Sequence, residues 1–243
     1  MNPRAVRFAG AAAGGAATAA FVHFVPGVVA WRAARCAVLP RLSGVGSPGH
    51  VALTFDDGPD PASTPAILEV LDSLGWHATF FCLGSQVRRA PGLARELVER
   101  GHEVAVHGDD HRSHLLRTPL ATVSDVARAR DCIEEVTGTG VRWFRPPYGG
   151  VALPSWFAAM KTGLQMVLWT TWGIDWRHDS TGETVAANVD RTFHPGATVL
   201  LHDSDITSSP RSWKSTVDAL PRLADRWAEA GLAVGPLRDH GIG

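Results

Sequence analysis

The feature of this sequence that most constrains its fold is a regular alternation of short apolar runs with amphipathic segments after residue 49. The apolar runs have the length of buried strands, and the segments between them repeat apolar residues at the 3.6-residue period of a helix. Strands that alternate with helices form right-handed βαβ units and a parallel sheet. The predicted strands are His50–Asp57, Ala78–Gly84, Glu103–His107, Trp143–Pro147, Gln165–Thr171, Thr198–His202 and Leu232–Val234.

This strand count suits a closed or nearly closed α/β barrel that is slightly short of the common eight-stranded form. A doubly wound open sheet is the alternative. Against it, no G-x-G-x-x-G follows the first strand and no G-x-x-x-x-G-K-[ST] occurs anywhere. The formal net charge of −1 and the lack of a basic block argue against a nucleic-acid partner.

Polar residues recur where the predicted strands end. In a β/α barrel the functional groups lie at the carboxyl ends of the strands, where the loops meet around one pocket. We therefore expect these side chains to share a site. They are Asp56 and Asp57, His107 and His111, Arg145 and Tyr148, Asp175 and Trp176, and His202.

Two of these histidines, His107 and His111, are four residues apart in "HGDDH". Two imidazoles and one carboxylate form a three-ligand set that leaves a coordination position open on a metal ion. Asp56 or Asp57 would supply the carboxylate, and the cation would relieve the repulsion between them. A lone H-x-x-x-H is more often a pair of surface histidines, but its place at a strand end favours a metal. Competing ligands nearby are Asp109, Asp110 and His114.

Six motifs occur in order, namely "TFDDGP", "ATFF", "GHEVAVHGDDH", "RPPYG", "IDW" and "LLHD". Together they resemble the polysaccharide deacetylases of the NodB-homology type, which are metal-dependent carbohydrate esterases. The likeness runs from about Gly49 to the C-terminus. It implies a distorted (β/α)7 barrel, here preceded by an N-terminal apolar helix. It also implies removal of acetyl groups from N-acetylated sugars or from O-acetylated xylan.

The resemblance assigns Asp56 as the general base that activates water and Arg145 as the residue that orients it. It assigns Asp57, His107 and His111 as the ligands of a divalent cation. Zinc is the first expectation, with Co²⁺, Ni²⁺ and Mn²⁺ as alternatives.

The same resemblance assigns His202 as the general acid for the leaving amine, paired with Asp175. The backbone N–H of Tyr148 is expected to help hold the oxyanion. Further substrate-binding residues are Trp176 and Leu200, which would line the pocket for the acetyl methyl, and Pro147.

Several positions depart from the family pattern or have no assigned role. Gly108 stands where many members have Thr or Ser, and Trp172 replaces the first Asp of the usual DxxDW. Trp172 suggests a sugar-stacking face with Trp143 and Trp169, although core packing is the preferred interpretation of these last two. Asp203 and Asp205 have no predicted role, and Trp213 is either a rim residue or the start of the last helix.

The sequence therefore predicts a hydrolase that deacetylates an N-acetylhexosamine-containing glycan, such as peptidoglycan or a chitin-like chain. The alternatives are an O-acetyl ester or cyclic amide hydrolase on the same site, and a carbohydrate-binding barrel without turnover. A monomer is expected.

The N-terminal region, residues 1–48, differs in composition from the rest of the chain. Arg4 and Arg7 precede an uncharged stretch over residues 8–31 that is long enough to span a bilayer. Ala17-Thr18-Ala19 also resembles a signal-peptide cleavage site, and a helix lying on the domain is a third interpretation. We predict a signal peptide or membrane anchor with a linker to residue 48, followed by a catalytic domain over residues 49–243. The predicted location is membrane-associated or extracytoplasmic.

Overall fold

The structure, a computed structural model, describes residues 32–242. The predicted apolar helix, signal peptide or anchor at residues 8–31 lies outside the described residues. Within residues 32–242, none of the helices combines the length and apolar character that crossing a bilayer requires.

In the described part of the chain the strands form one sheet of eight, and all of its pairs are parallel. Along the sheet the order is β5-β4-β3-β2-β1-β7-β6, and β8 pairs with the start of β1. The predicted α/β barrel of the (β/α)7 type is confirmed. The strands are β1 (His50–Asp56), β2 (Thr79–Cys82), β3 (Glu103–Val106), β4 (Trp143–Phe144), β5 (Gln165–Met166), β6 (Thr171–Trp172), β7 (Thr198–His202) and β8 (Ala233–Gly235).

The predicted strand Gln165–Thr171 is not one strand but two. Its first part, β5, pairs with β4, and its end is β6, which pairs with β7. These are the two ends of the sheet, so residues 167–170 must leave one neighbour to reach the other and cannot pair regularly with both. This seam, residues 167–170, is where the barrel closes and where its distortion is concentrated.

Helices cover the outside of the sheet between successive strands, as the amphipathic segments predict. Glycines in the left-handed conformation end several of them, for example Gly75 with φ 65° and Gly138 with φ 69°. The helices are α1 (Arg32–Val38), α2 (Pro40–Ser43), α3 (Thr64–Leu74), α4 (Gly84–Arg89), α5 (Pro91–Glu99), α6 (Pro119–Thr137), α7 (Leu153–Thr162), α8 (Gly182–Asp190) and α9 (Trp213–Glu229).

The first strand shows how the sequence pattern positions the site. Its residues alternate between two faces. Leu53 and Phe55 belong to the large core between the strands and the helices, whereas Ala52 belongs to a smaller cluster inside the barrel. Thr54 and Asp56, on the same face as Ala52, therefore point into the barrel. Burial of each large apolar side chain on the outer face contributes about 1.5–3 kcal/mol.

The register of the sheet places the ends of neighbouring strands side by side. Asp56 at the end of β1 is the register partner of His202 at the end of β7. His107 follows directly after β3, and Arg145 follows directly after β4. The carboxyl ends of four strands thus deliver polar residues to one mouth of the barrel.

The predicted linker packs against the barrel along much of its length. The carbonyl of Leu42 accepts a hydrogen bond from Leu168 N at 2.7 Å, and the carbonyl of Gly44 accepts one from Thr198 Oγ1 at 2.7 Å. A side chain at Gly44 would bring its Cβ within 2.5 Å of Thr198 Oγ1. Residues 42–44 are therefore built into the barrel wall, while the domain boundary at residues 48 and 49 remains a prediction.

Candidate active site

A buried ion pair inside the barrel fixes the first carboxylate. The fully buried Arg145 donates from Nη1 to Asp56 Oδ1 at 2.6 Å and to Thr54 Oγ1 at 2.9 Å. Its Nη2 donates to the carbonyl of Leu168 at 3.0 Å, and its guanidinium carbon lies 3.9 Å from the centre of the Phe81 ring. Burial lowers the pKa of Arg145, and the neighbouring Asp56 opposes that shift. Asp56 is thereby held in one orientation beside a cation.

The second carboxylate turns away from the first because of its backbone. Asp57 has a φ of 81°, which lies in the left-handed region that few residues other than glycine occupy. Its Oδ2 accepts a hydrogen bond from Thr207 Oγ1 at 2.5 Å. Its Oδ1 is buried and has no hydrogen-bond partner in the described part of the chain. A buried oxygen of this kind is costly unless a ligand completes it.

Two histidines face this Asp57 oxygen. His107 Nε2 lies 3.4 Å from Asp57 Oδ1, and His111 Nε2 lies 3.3 Å from the same atom. His107 Nδ1 is 2.8 Å from the carbonyl of Arg145, to which it can donate, so Nε2 is left with its lone pair. The ligand atoms of Asp57, His107 and His111 all lie within 4.8 Å of one another. Two imidazoles and a carboxylate oxygen that has no hydrogen-bond partner fit a divalent cation such as zinc.

The charges of the cluster shift the pKa values of its three groups in different directions. Burial would raise the pKa of Asp57, but the nearby His107 and the charge of His202 hold it well below its usual range. Burial and the neighbouring His107 lower the pKa of His111 to about 4, so its imidazole is neutral at physiological pH. Burial also acts on His107, but Asp56 and Asp57 outweigh it and raise the pKa of that imidazole.

A second histidine–carboxylate pair stands across the cavity. His202 Nδ1 lies 2.8 Å from Asp175 Oδ1, and the backbone N–H of His202 donates to Asp175 Oδ2 at 2.7 Å. Thr216 Oγ1 donates to Asp175 Oδ2 at 2.7 Å. Burial alone would lower the pKa of His202, but Asp175 outweighs it and raises that pKa to about 10. His202 is therefore a cation at neutral pH, with its Nε2 free of this bond.

The predicted site residues surround a cavity of about 260 Å³. Asp56, His107, His111 and His202 line it together with the predicted Tyr148, Trp176 and Leu200. Pro147 is buried and is not among the residues that line the cavity, and its role in substrate binding stays a prediction.

Tyr148 lies in a sharp turn beside the metal ligands. It has a φ of 59°, and its ring centre is 4.3 Å from that of His111. Its side chain is 66% exposed, so the residue lines the cavity without being packed into the core. The next residue, Gly149, lies flat against Trp169, since a Cβ there would come within 2.5 Å of the indole.

One wall of the cavity is formed by three tryptophans, Trp169, Trp172 and Trp176. We call it the tryptophan wall. The rings of Trp169 and Trp172 stack with centres 5.6 Å apart, and Trp172 meets Trp176 edge to face at 5.2 Å. Trp169 packs against the core cluster of Leu42, Val151 and Leu168 and also lines the cavity, so the predicted core packing and the predicted place in a sugar-stacking face are both compatible with its position. For Trp143 the predicted core packing is correct, since it is buried and its Nε1 donates to Glu103 Oε1 at 3.0 Å.

Sequence reasoning missed two hydroxyl residues that contact site carboxylates, Thr207 and Thr216. Thr207 lies in the loop after β7 and bonds Asp57, and Thr216 lies in α9 and bonds Asp175. Neither belongs to a quoted motif. The only available signal for Thr207 was its place a few residues after a strand-end histidine.

Asp203, which had no predicted role, supports the turn after β1. Its Oδ1 accepts from Gly58 N at 3.1 Å, and its Oδ2 accepts from Thr64 Oγ1 at 2.6 Å. A Cβ at Gly58 would lie 2.0 Å from Asp203 Oδ2, so only glycine fits there. The other unassigned aspartate, Asp205, accepts from Arg211 N in the loop.

The competing ligands do not join the cluster. Asp109 pairs with Arg88 at 2.8 Å and with Arg128 at 3.2 Å. His114 is buried with its Nδ1 3.3 Å from Ser155 Oγ. The remaining competing ligand, Asp110, has a carboxylate oxygen 3.7 Å from Arg112 Nε. Trp213, which the sequence places either on the rim or at the start of the last helix, begins α9 and does not line the cavity.

Gly108 follows His107 and is one of the positions that depart from the family pattern. Its φ of 98° lies in the left-handed region that favours glycine. The loop is held one residue later, where Asp109 N donates to Asp125 Oδ2 at 3.1 Å. The buried Asp125 in turn pairs with Arg117 at 2.8 Å. This ligand loop is thus steadied by the backbone and by α6 instead of by a hydroxyl at position 108.

Comparisons with known proteins agree with the fold and the motifs. The chain is 33% identical over 208 residues to a chitooligosaccharide deacetylase of Bradyrhizobium, covering 83% of this chain and 94% of that protein. It is 34% identical over 160 residues to the peptidoglycan-N-acetylglucosamine deacetylase PgdA of Listeria monocytogenes, covering 66% of this chain. The match spans only 34% of the length of that Listeria protein.

Among solved structures, the chain is similar to a CE4-family pseudoenzyme from Bacillus anthracis. The TM-score is 0.72 at 28% identity, and the match covers 80% of this chain and 66% of the other. Residues 43–167 match the sequence model of the family described as Polysaccharide deacetylase. The chain belongs to the polysaccharide deacetylase family, as its motifs predict.

Proposed function

We propose that this chain is a metal-dependent hydrolase that removes acetyl groups from N-acetylated sugars of a polysaccharide. The observation that carries the proposal is that one cavity is lined by the carboxylate of Asp56, by His202, whose Nδ1 pairs with Asp175, and by two residues of the ligand set, His107 and His111. A hydrolytic deacetylase needs a proton acceptor, a proton donor and an electrophile around the scissile amide.

Asp57, His107 and His111 would hold the divalent cation. When bound, such a cation supplies Lewis-acid polarisation of a carbonyl and lowers the pKa of water. Zinc, cobalt, nickel and manganese all accept this set of donors, and availability as well as affinity selects among them.

Asp56 is the proposed base. Its carboxylate is fixed by Arg145, and its Oδ2 lies on the cavity side, 3.6 Å from His107 Nε2. A carboxylate held in place by a guanidinium can take a proton from an attacking water without reorienting.

His202 is the proposed acid. Asp175 fixes its tautomer and keeps the imidazole charged, so Nε2 can donate a proton to the departing amine. An amine leaves as a neutral molecule once it is protonated, whereas the unprotonated amide nitrogen is a poor leaving group.

The remaining lining residues would orient the acyl group. The backbone N–H of Tyr148 is proposed to stabilise the oxyanion, for which loss of one donor typically costs about 100- to 1,000-fold in rate. Leu200 and Trp176 provide an apolar surface for the acetyl methyl. Pro147, which precedes Tyr148 in the same turn, is retained as a proposed substrate-binding residue.

The proposed substrate is a glycan that contains N-acetylhexosamine, such as peptidoglycan or a chitin-like chain. The names of the Bradyrhizobium and Listeria relatives support both, and the tryptophan wall offers aromatic faces to a sugar ring. We also retain the proposals that residues 8–31 associate the chain with a membrane and that it is a monomer acting outside the cytoplasm.

The experiment that tests the function is acetate release from N-acetylglucosamine oligomers, from peptidoglycan and from acetylated xylan, with metal content measured by elemental analysis. The proposal expects release from one of the first two and loss of release after chelation. Release from xylan alone would favour the ester hydrolase, and a cyclic amide hydrolase would release no acetate.

A carbohydrate-binding barrel without turnover is the second candidate, because one similar structure is a pseudoenzyme. It predicts binding of the oligomers without acetate release in zinc-supplemented protein, and Asp56→Asn would then behave as wild type. The complete set of Asp56, Arg145, Asp175 and His202 favours the enzyme.

A further inference from the structure

The seam of the barrel, residues 167–170, is held by arginines in place of a strand. Within the seam, the carbonyl of Leu168 accepts a hydrogen bond from Arg145 Nη2 at 3.0 Å. The carbonyl of Trp169 accepts from Arg35 Nη2, and the carbonyl of Thr170 accepts from Arg32 Nη1 at 3.1 Å. Three successive carbonyls that no regular strand pairing satisfies therefore each receive a guanidinium.

Two of these arginines come from α1, outside the region in which the family motifs occur. Arg32 also donates to the carbonyl of Thr192 at 3.2 Å, so it ties the seam to the end of α8. Arg35 is only 7% exposed, and among residues 32–242 no carboxylate pairs with it. A buried cation without an anionic partner is expensive, which indicates that its contacts serve more than local stability.

Those contacts are with Trp169. Besides the bond to its carbonyl, the Arg35 guanidinium carbon lies 6.0 Å from the centre of the Trp169 ring, at the outer limit of a cation–π contact. The same ring is 5.7 Å from the Arg145 guanidinium carbon and lines the cavity. Trp169 is thus close to both the α1 arginine and the arginine that orients Asp56.

We propose that Arg35 is a positioning residue of the active site, which acts through Trp169 to hold the tryptophan wall where the sugar of the substrate binds. Trp169 stacks on Trp172, and Trp172 contacts Trp176, so a shift of the seam moves all three rings. The base and the metal ligands lie on other strand ends and are not expected to move. This inference rests on the proposed deacetylation only for its kinetic readout.

The test compares Arg35→Met with Arg89→Met, a matched change at an exposed arginine at the end of α4. With the N-acetylglucosamine tetramer, Arg35→Met should raise KM and lower kcat/KM by about 10-fold, since a hydrogen bond from a charged donor is lost. Zinc affinity should stay within twofold of wild type. Arg35→Lys, which keeps one donor, should recover most of the loss, whereas Arg89→Met should behave as wild type.

A double-mutant cycle distinguishes positioning from general destabilisation. In a Trp169→Ala background, Arg35→Met should cause a clearly smaller further loss of kcat/KM, because the carbonyl at position 169 remains but the ring that Arg35 positions is missing. An equal loss in both backgrounds, or an Arg35→Met enzyme with unchanged KM, overturns the inference. If Arg35→Met does not fold, as judged by loss of its thermal transition, Arg35→Gln, which removes the charge and shortens the side chain, carries the same cycle.

Failure of the proposed function gives a different result. If wild type releases no acetate from any glycan, the deacetylase proposal fails, and the cycle is run on binding of the tetramer, followed by tryptophan fluorescence of zinc-loaded protein. An about 10-fold weakening of binding in Arg35→Met that becomes clearly smaller in the Trp169→Ala background supports the inference. Equal affinity of Arg35→Met and Arg89→Met overturns it.

Discussion

Adjacent carboxylates at the end of β1 have separate environments because the backbone turns between them. Asp56 points into the barrel toward Arg145, and Asp57, with its φ of 81°, points toward the two imidazoles. Two neighbouring carboxylates repel each other. Here the guanidinium of Arg145 offsets the charge of Asp56, and the two imidazoles lie beside the charge of Asp57. This separation permits one residue to be changed without loss of the other's role.

The first prediction contrasts the two roles. Asp56→Asn should lower kcat for acetate release by about 100- to 10,000-fold, the usual contribution of a general base, and the protein should keep its metal. His107→Ala should instead purify without metal. Elemental analysis and an acetate assay on the same preparations give both answers. Activity that survives Asp56→Asn, or metal that survives His107→Ala, would contradict the assignment.

The second prediction concerns Thr207, whose hydroxyl occupies Asp57 Oδ2 and leaves Oδ1 toward the imidazoles. Thr207→Val keeps the shape of the side chain and removes that donor. Outer partners of metal ligands typically contribute about 10- to 100-fold to affinity, so zinc affinity should fall within that range. Isothermal titration measures it, and Thr207→Ser should remain close to wild type. An unchanged affinity in the valine variant would show that Asp57 does not need this contact.

The third prediction concerns the pH dependence of activity. His202 must be protonated to donate, and its pKa of about 10 is set chiefly by Asp175, so wild-type kcat/KM should persist at moderately alkaline pH. Asp175→Asn removes the stabilising charge, and the alkaline limb should move down by about 1 to 3 pH units. Thr216→Val, which removes a hydrogen bond to Asp175 without changing charge, is the control. An alkaline limb that does not move would exclude His202 as the acid.

At the scale of elements, strand ends and helices are predictable and the seam is not. Alternation of apolar runs with amphipathic segments identifies β1, β3 and β7 to within one or two residues. The run Gln165–Thr171 has the composition of a single strand, yet barrel closure divides it between two neighbours. Local sequence carries no record of which strand a segment pairs with, so this division depends on the tertiary structure.

The turn after β1 supplies the fourth prediction. Burial raises the pKa of Asp203 to about 7 from an unfolded value of 3.8. Because the folded protein binds this proton more tightly than the unfolded chain does, the contribution to stability is greatest below pH 3.8 and declines as the pH rises to 7. The side chain of Asp203→Asn cannot ionise. The melting temperature of this variant minus that of wild type should therefore increase between pH 4 and pH 8. A constant difference across that range would contradict the prediction.

At the scale of the molecule, metal binding and folding should be linked. The three proposed ligands directly follow β1 or lie in the loop after β3, and these segments are brought together only in the folded chain. A ligand bound only to the folded state stabilises it by about 2.7 kcal/mol at a concentration 100 times its Kd. Zinc should therefore raise the melting temperature of wild type and chelators should lower it. His107→Ala should respond to neither, and a response equal to wild type would place the metal elsewhere.

Much of the site could be foreseen because its residues follow predicted strands and occur in recognisable motifs. The family, the barrel, and the gathering of Asp57, His107 and His111 all follow from that placement. The contributions of Thr207, Thr216 and the α1 arginines could not be foreseen. They act from loops and helices through hydrogen bonds to other side chains or carbonyls, and such contacts leave no periodicity or spacing in the sequence.

The pairing of Asp56 with His202 across β1 and β7 has a consequence for how such an enzyme can change. Neighbouring strands lie about 4.8 Å apart, so the span between the proposed proton acceptor and donor is inherited from backbone hydrogen bonds. Loops around the mouth can lengthen, shorten or exchange side chains to suit a different glycan while that span stays constant. The loops can therefore change which glycan is bound, while the paired strands preserve the chemistry.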